Sequence, residues 1–230
     1  MAEKPRALDP IEDWVFDLDN TLYSASLHLF PQIDRRMKAF ISDLLQVSLD
    51  DAFKLQKEYY WKYGTTLRGL MLNHNIEPDN FLEYVHDIDH SALMPDARLG
   101  AALAALPGRK FIYTNGSERH AVSVIDRLGI TAHFTGIFDI CASRYIPKPE
   151  PGPYADLVAR HAIKPDRAVM FEDIHRNLKP AAALGMRTVW VRHAESPAKP
   201  DEDLSHCHFV TEDLIAWLEE HAPAKGKTRA

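Results

Sequence analysis

Residues 14–24 read WVFDLDNTLYS, an apolar run that delivers two carboxylates, Asp17 and Asp19, and then breaks at Asn20 and Thr21. Crowding two like charges at a strand end costs free energy, so they either cap a turn or act together on something positive or electrophilic. A turn needs only one Asp or Asn. What else the chain brings to the same place decides between these readings.

Residues 13–18 are short, apolar and rich in Val and aromatics, and so form a first strand. The period then changes. From about 24 to 92, Phe30, Ile33, Met37, Phe40, Ile41 and Leu44 recur at helical spacing, and Ser48 with Asp51 resembles a capping box that opens a second helix ended by Gly64. Two shorter helices are expected at Thr66–Asn73 and Pro78–Asp89. Beyond Pro95, helices at 96–106, 117–128, 152–162, 177–184 and 212–221 alternate with strands at 109–114, 137–142, 168–173, 188–192 and near His208–Val210. Strand–helix alternation predicts an α/β fold, a Rossmann-like parallel sheet core with helices on both faces. The first strand needs that sheet for partners. Residues 1–23 and 93–230 therefore make the core, with 24–92 inserted as an all-helical cap and AKGKTRA as a loose tail.

Open parallel sheets bind ligands beyond the carboxyl ends of their strands. Asp17 and Asp19, then Thr114-Asn115-Gly116, then Lys148 between two prolines, then Glu172-Asp173 all fall at such ends. That is an inventory for handling phosphate with a divalent metal. Asp17 is a carboxylate able to attack phosphorus. A bare carboxylate repels phosphate, so magnesium, Mg²⁺, which prefers hard oxygen donors, is expected on Asp17, the Asp19 backbone and Asp173. Adjacent side chains on a strand diverge, which disfavours Glu172 as a joint ligand. Asp19 is placed to protonate the leaving oxygen and then deprotonate water. The Thr114 hydroxyl and the N–H groups of Asn115 and Gly116 face the phosphoryl oxygens, and Lys148 offsets the accumulated negative charge. Asn177 either hydrogen-bonds the carboxylate or caps the next helix.

In this order DLDNT, TNG, the PKP lysine and FED resemble the four motifs of the haloacid dehalogenase superfamily, and the helical block resembles its type 1 cap. A lone DxDxT is weak evidence, whereas four motifs, each after an expected strand, are specific; the resemblance spans about residues 12 to 220. FDLDNTLY, YGTTLRGL (63–70) and FEDIHRNL (171–178) are similar to pyrimidine 5'-nucleotidase-like phosphatases. This implies hydrolysis of a nucleoside monophosphate, with other small phosphorylated metabolites such as sugar phosphates, 2-haloacid dehalogenation and a non-catalytic binding role as alternatives. His175 is more basic than the residue expected there. In the cap, Tyr63 and Arg68 straddle the break at Gly64 and are the expected substrate contacts. Tyr59, Tyr60 and Trp61 read first as packing and surface.

Composition agrees. The 230-residue chain is 46% hydrophobic and 26% charged with a formal charge of -6, which fits a globular protein and argues against a nucleic-acid polymer as partner. No apolar run approaches the ~20 residues of a membrane span, and the opening lacks a signal-peptide core. Only Cys141 and Cys207 are present, so a reducing, cytoplasmic setting is expected, although the two could form one bridge. His86 with His90, and His206 with His208, lack a third ligand at recognisable spacing for zinc.

Overall fold

In the computed structural model, which describes residues 11–193 and 202–222, the strand β1 (Asp13–Phe16) is buried along its whole length. The opening residues and the AKGKTRA tail lie outside the described residues. From β1 the chain enters four helices: α1 (Leu29–Leu45), α2 (Leu49–Tyr63), α3 (Thr66–His74) and α4 (Pro78–His86). It returns through α5 (Ala97–Ala105) to β2 (Arg109–Tyr113), α6 (Glu118–Leu128) and β3 (Gly136–Phe138). Then follow α7 (Pro151–His161), β4 (Ala168–Glu172), α8 (Leu178–Ala183), β5 (Arg187–Val191), β6 (Phe209–Thr211) and α9 (Leu214–His221). The strands form one parallel sheet in the order β3-β2-β1-β4-β5-β6, the α/β Rossmann-like architecture expected.

Parallel strands cannot be joined by hairpins, so crossovers cover both faces of the sheet, and alternation along β1 feeds both cores. Trp14 and Phe16 join Leu103, Val124 and Trp217 on one face, with Phe16 stacked on Phe171 at 4.6 Å between ring centroids. Val15 joins Phe111, Met170, Tyr154 and Leu178 on the other. Helices α1 to α4 bury a third cluster of their own, including Ile33, Ile41, Tyr59, Leu70 and Phe81, into which Ile140 reaches from the loop after β3.

Local chemistry sets the boundaries. Ser48 caps α2, its hydroxyl accepting from the Asp51 N–H and donating to the Asp51 carboxylate at 2.8 Å. Gly64 ends α2 at φ 87°, where a Cβ would be strained and would also press on Pro147 at 3.0 Å. The expected strand 137–142 stops at Phe138 because the Asp139 carboxylate accepts from the N–H groups of Glu118 (2.9 Å) and Ala142 (2.8 Å), drawing the chain into a turn. Similarly α4 ends at His86, short of Asp89, and β4 ends at Glu172, one residue early.

The chain winds outward from β1 through β2 and β3, then crosses to β4 on the other side of β1. The crevice outside the carboxyl ends of β1 and β4 is thus the switch point at which such sheets hold ligands.

Candidate active site

Asp17 follows β1, its N–H donating to Phe171 O at 2.9 Å, so the residue stays tied to β4. Its two carboxylate oxygens are separately engaged. Oδ2 accepts from the Thr21 hydroxyl at 2.9 Å, and Oδ1 accepts from Lys148 Nζ at 2.6 Å. Lys148 is 2% exposed, and its ammonium also donates to Glu172 Oε2 at 2.6 Å and Tyr113 O at 3.0 Å. All three of its N–H donors are therefore used.

Asp17, Glu172 and Asp173 each bring a carboxylate oxygen within 4.8 Å of the others, all three being buried. The divergence expected of adjacent strand residues does not hold here, because β4 stops at Glu172 and Asp173 already belongs to the turn. Burial and the neighbouring Glu172 push Asp17 up to about 7 despite Lys148, and the same two causes raise Asp173 well above the usual carboxylate range. Three buried carboxylates against one ammonium form a hard-oxygen donor set short of positive charge, which fits Mg²⁺. The Asn177 side chain makes no capping bond to α8, although the residue borders the same cavity.

Thr114 and Asn115 serve the loop as well as the cavity. Thr114 Oγ1 accepts from the Gly116 N–H at 2.9 Å, so that N–H is engaged internally. Asn115 Oδ1 accepts from the Lys148 N–H at 2.9 Å, which fixes the lysine loop to the loop after β2. Asp19 turns to other partners. Its Oδ1 accepts from the Tyr23 hydroxyl at 2.7 Å and pairs with His120 Nε2 at 2.8 Å. Burial alone would raise Asp19, but His120 and Tyr23 outweigh it and bring the carboxyl down to about 2.

His120 was not a sequence candidate. It sits in the first turn of α6 among Ala121, Val124, Ile125 and Leu128, and a histidine on that apolar stripe was the available signal. His86 stacks on it with centroids 4.5 Å apart, and His90 Nε2 lies 3.5 Å from His120 Nδ1. Burial and His120 lower His86 to about 3, so its ring is neutral. Because α4 ends at His86, the helical spacing of His86 and His90 does not exist. Among the described residues, the carboxylate trio is the one His/Cys/Asp/Glu group whose ligand atoms converge. His206 instead contacts His175 O at 2.8 Å, His208 Nδ1 accepts from the Thr188 N–H at 3.1 Å, and Cys141 and Cys207 are both free thiols.

A cavity of about 610 Å³ extends from Asp17, Asp19, Thr114, Lys148 and Asp173 toward α1 and α2. Asn115 and Gly116 line it, whereas Tyr63 and Arg68 do not. The Tyr63 hydroxyl donates to Asn73 at 3.3 Å, and Arg68 reaches Tyr145 O at 3.4 Å. Tyr60 and Trp61, one turn before Tyr63, line the cavity with Arg176 instead. His175 borders it too, pairing with Glu202 at 3.3 Å.

Residues 15–185, from β1 past α8, match the profile described as a haloacid dehalogenase-like hydrolase. The chain belongs to that family. This hydrolase is 29% identical over 206 residues to "Phosphate metabolism protein 8" of Saccharomyces cerevisiae, covering 80% of the chain and 64% of the yeast protein. It thus spans under two thirds of that relative's length. Among solved structures it is similar to a HAD phosphatase from Thermococcus onnurineus (TM-score 0.62, 17% identity, 91% of this chain and 97% of that one). It is similar also to L-2-haloacid dehalogenase from Xanthobacter autotrophicus (TM-score 0.56, 17% identity, 91% and 97% covered). The fold accommodates both names, so the side chains of this hydrolase must carry the argument about its chemistry. Among the described residues, no helix is long and apolar enough to cross a membrane.

Proposed function

We propose that this hydrolase is a Mg²⁺-dependent phosphomonoesterase that works through an aspartyl-phosphate, with a pyrimidine nucleoside monophosphate as its preferred substrate. The observation that carries the reading is the convergence of Asp17, Glu172, Asp173 and Lys148 at the switch point. The yeast relative's name points the same way. A 2-haloacid dehalogenase uses a single carboxylate nucleophile and needs neither a metal-binding trio nor an acid/base two residues on. A sugar phosphate is the alternative substrate. In this reading residues 24–92 are a cap over the core of 1–23 and 93–230, and the two free cysteines suit a reducing, cytoplasmic setting.

Asp17, the Asp19 main-chain oxygen and Asp173 would hold Mg²⁺, which would supply neutralising charge for the phosphoryl group. Asp17 attacks phosphorus, forming an Asp17–phosphorus bond as the ester P–O bond breaks. Lys148 and Thr21 hold the two Asp17 oxygens, so the nucleophile is oriented before substrate arrives. As the phosphate charge enters, Asp19 takes up a proton from solvent and gives it to the leaving oxygen. Asp19 then takes a proton from water as that water attacks phosphorus, releasing inorganic phosphate and restoring Asp17. Thr114, with the loop it stabilises, faces the phosphoryl oxygens.

The test is phosphate release from UMP, CMP, AMP and sugar phosphates with Mg²⁺ and with EDTA. Release that depends on Mg²⁺, is inhibited by excess Ca²⁺ and is fastest on a pyrimidine nucleotide is expected. Full activity in chelator, with halide released from a 2-haloacid, overturns it. Metal binding has an independent readout. A raised folded-state carboxyl favours stability at low pH and loses it as pH rises through the folded value, about 7 for Asp17. Mg²⁺ relieves that loss, so the difference in Tm between Mg²⁺ and EDTA should grow between about pH 5 and pH 8. A difference that shrinks across this range removes Asp17 and Asp173 as metal ligands.

His120 is a positioning residue in this scheme, holding the Asp19 carboxylate through Nε2. His120→Ala should lower kcat about 10- to 100-fold with KM little changed. His120→Gln, whose amide nitrogen reaches a similar place, should recover most of it. Equal losses in both variants would assign His120 to packing alone.

A further inference from the structure

Tyr60, Trp61 and Arg176 line the same cavity beside the carboxylates, and the phosphate chemistry does not use them. Arg176 issues from the turn directly after Asp173. Its guanidinium carbon lies 5.0 Å from the Tyr60 ring centroid and 5.3 Å from that of Trp61. The two rings form a corner, with centroids 5.3 Å apart and planes at 72°. Two further features set this corner apart from ordinary packing. Trp61 is 69% exposed, a large apolar face left uncovered beside a cavity. The Arg176 Nε–H is buried without a hydrogen-bond partner. Asp34 also lines the cavity, accepting from Lys57 Nζ (2.6 Å) and Gln56 Nε2 (2.7 Å).

We infer that Tyr60, Trp61 and Arg176 form the leaving-group subsite and select a planar aromatic ring with hydrogen-bonding edges. The inference rests on the phosphomonoesterase reading and deepens it. An uncovered indole, a phenol and a guanidinium plane each stack favourably on a flat ring, and the unpartnered Arg176 Nε–H donates to an acceptor on its edge. A nucleobase has both a flat face and such acceptors, whereas an aliphatic sugar has neither a flat face nor a π system. The subsite takes one wall from α2 and one from the turn after β4.

A purely structural clasp between Arg176 and the two rings is the competing account, and paired substrates separate them. Steady-state phosphate release from uridine monophosphate and from ribose phosphate, which differ only in the base, gives a selectivity ratio for the parent, Trp61→Ala and Arg176→Ala. The ratio should fall about 10- to 100-fold in each variant, the range expected for one lost stacking contact. A ratio within twofold of the parent, whatever the absolute rates, makes the corner a clasp and overturns the inference. A second measurement needs no turnover. In Asp17→Asn, uridine monophosphate should quench tryptophan fluorescence, and the quench should vanish in Asp17→Asn with Trp61→Phe. A quench that persists in the double variant overturns the inference. A parent that releases phosphate from neither compound defeats the phosphomonoesterase reading instead, and the quench still reports on the aromatic corner by itself.

Discussion

Asp17→Asn leaves a folded protein whose phosphatase turnover is lower by at least on the order of 10⁴-fold. The amide keeps the size of the carboxyl but has no anionic oxygen to form the bond to phosphorus. Phosphate monoesters are among the slowest substrates to hydrolyse unaided, so no background route rescues the variant. Folding should survive for a reason visible at the site. In the parent, burial and Glu172 already raise Asp17 to about 7, so ionising it in the fold is unfavourable. A neutral amide removes that repulsion. Thermal unfolding in EDTA at about pH 8 should show a Tm no lower than the parent's. Turnover within tenfold of the parent would reject Asp17 as the nucleophile; lost turnover together with a collapsed Tm would leave only a structural role.

Lys148→Met tests the opposite charge. The ammonium is buried against Asp17 and Glu172 at 2.6 Å each, and its removal leaves three carboxylates without a counter-charge. Breaking a buried pair from one side costs about 3–5 kcal/mol, and catalysis should be lost with it. The pH dependence gives the sign. Without Lys148, Asp17 and Asp173 shift further upward, so they are neutral at low pH and unfavourably charged at high pH. Urea unfolding in chelator should show a smaller loss at about pH 5 than at about pH 8, and Mg²⁺ should restore part of it at the higher pH. Equal destabilisation at both pH values would mean that Lys148 contributes through packing of its stem rather than through charge.

The elements that bury one face or one stripe were legible in the sequence, because periodicity is a local property. β1, the capping box at Ser48 and the stop at Gly64 appear where residue type requires them. The order of the motifs and their place after strands followed too, since a strand's carboxyl end is fixed once its direction in a parallel sheet is known. The sequence thereby determined an α/β sheet, a run of helices directly after its first strand, and a set of polar residues that follow four strands. Which side chains meet was another matter. Glu172 joins Asp17 and Asp173 because β4 stops one residue early, a detail set by the turn and not by the strand pattern. His120 finds Asp19 across 101 residues of chain, and Tyr60 and Trp61, not Tyr63 and Arg68, face the cavity because packing of α1 to α4 sets the rotation of α2. Local spacing gives the side of a helix on which a residue lies. Only the tertiary packing decides what that side touches, since the contacts depend on the angles and offsets between elements far apart in the chain.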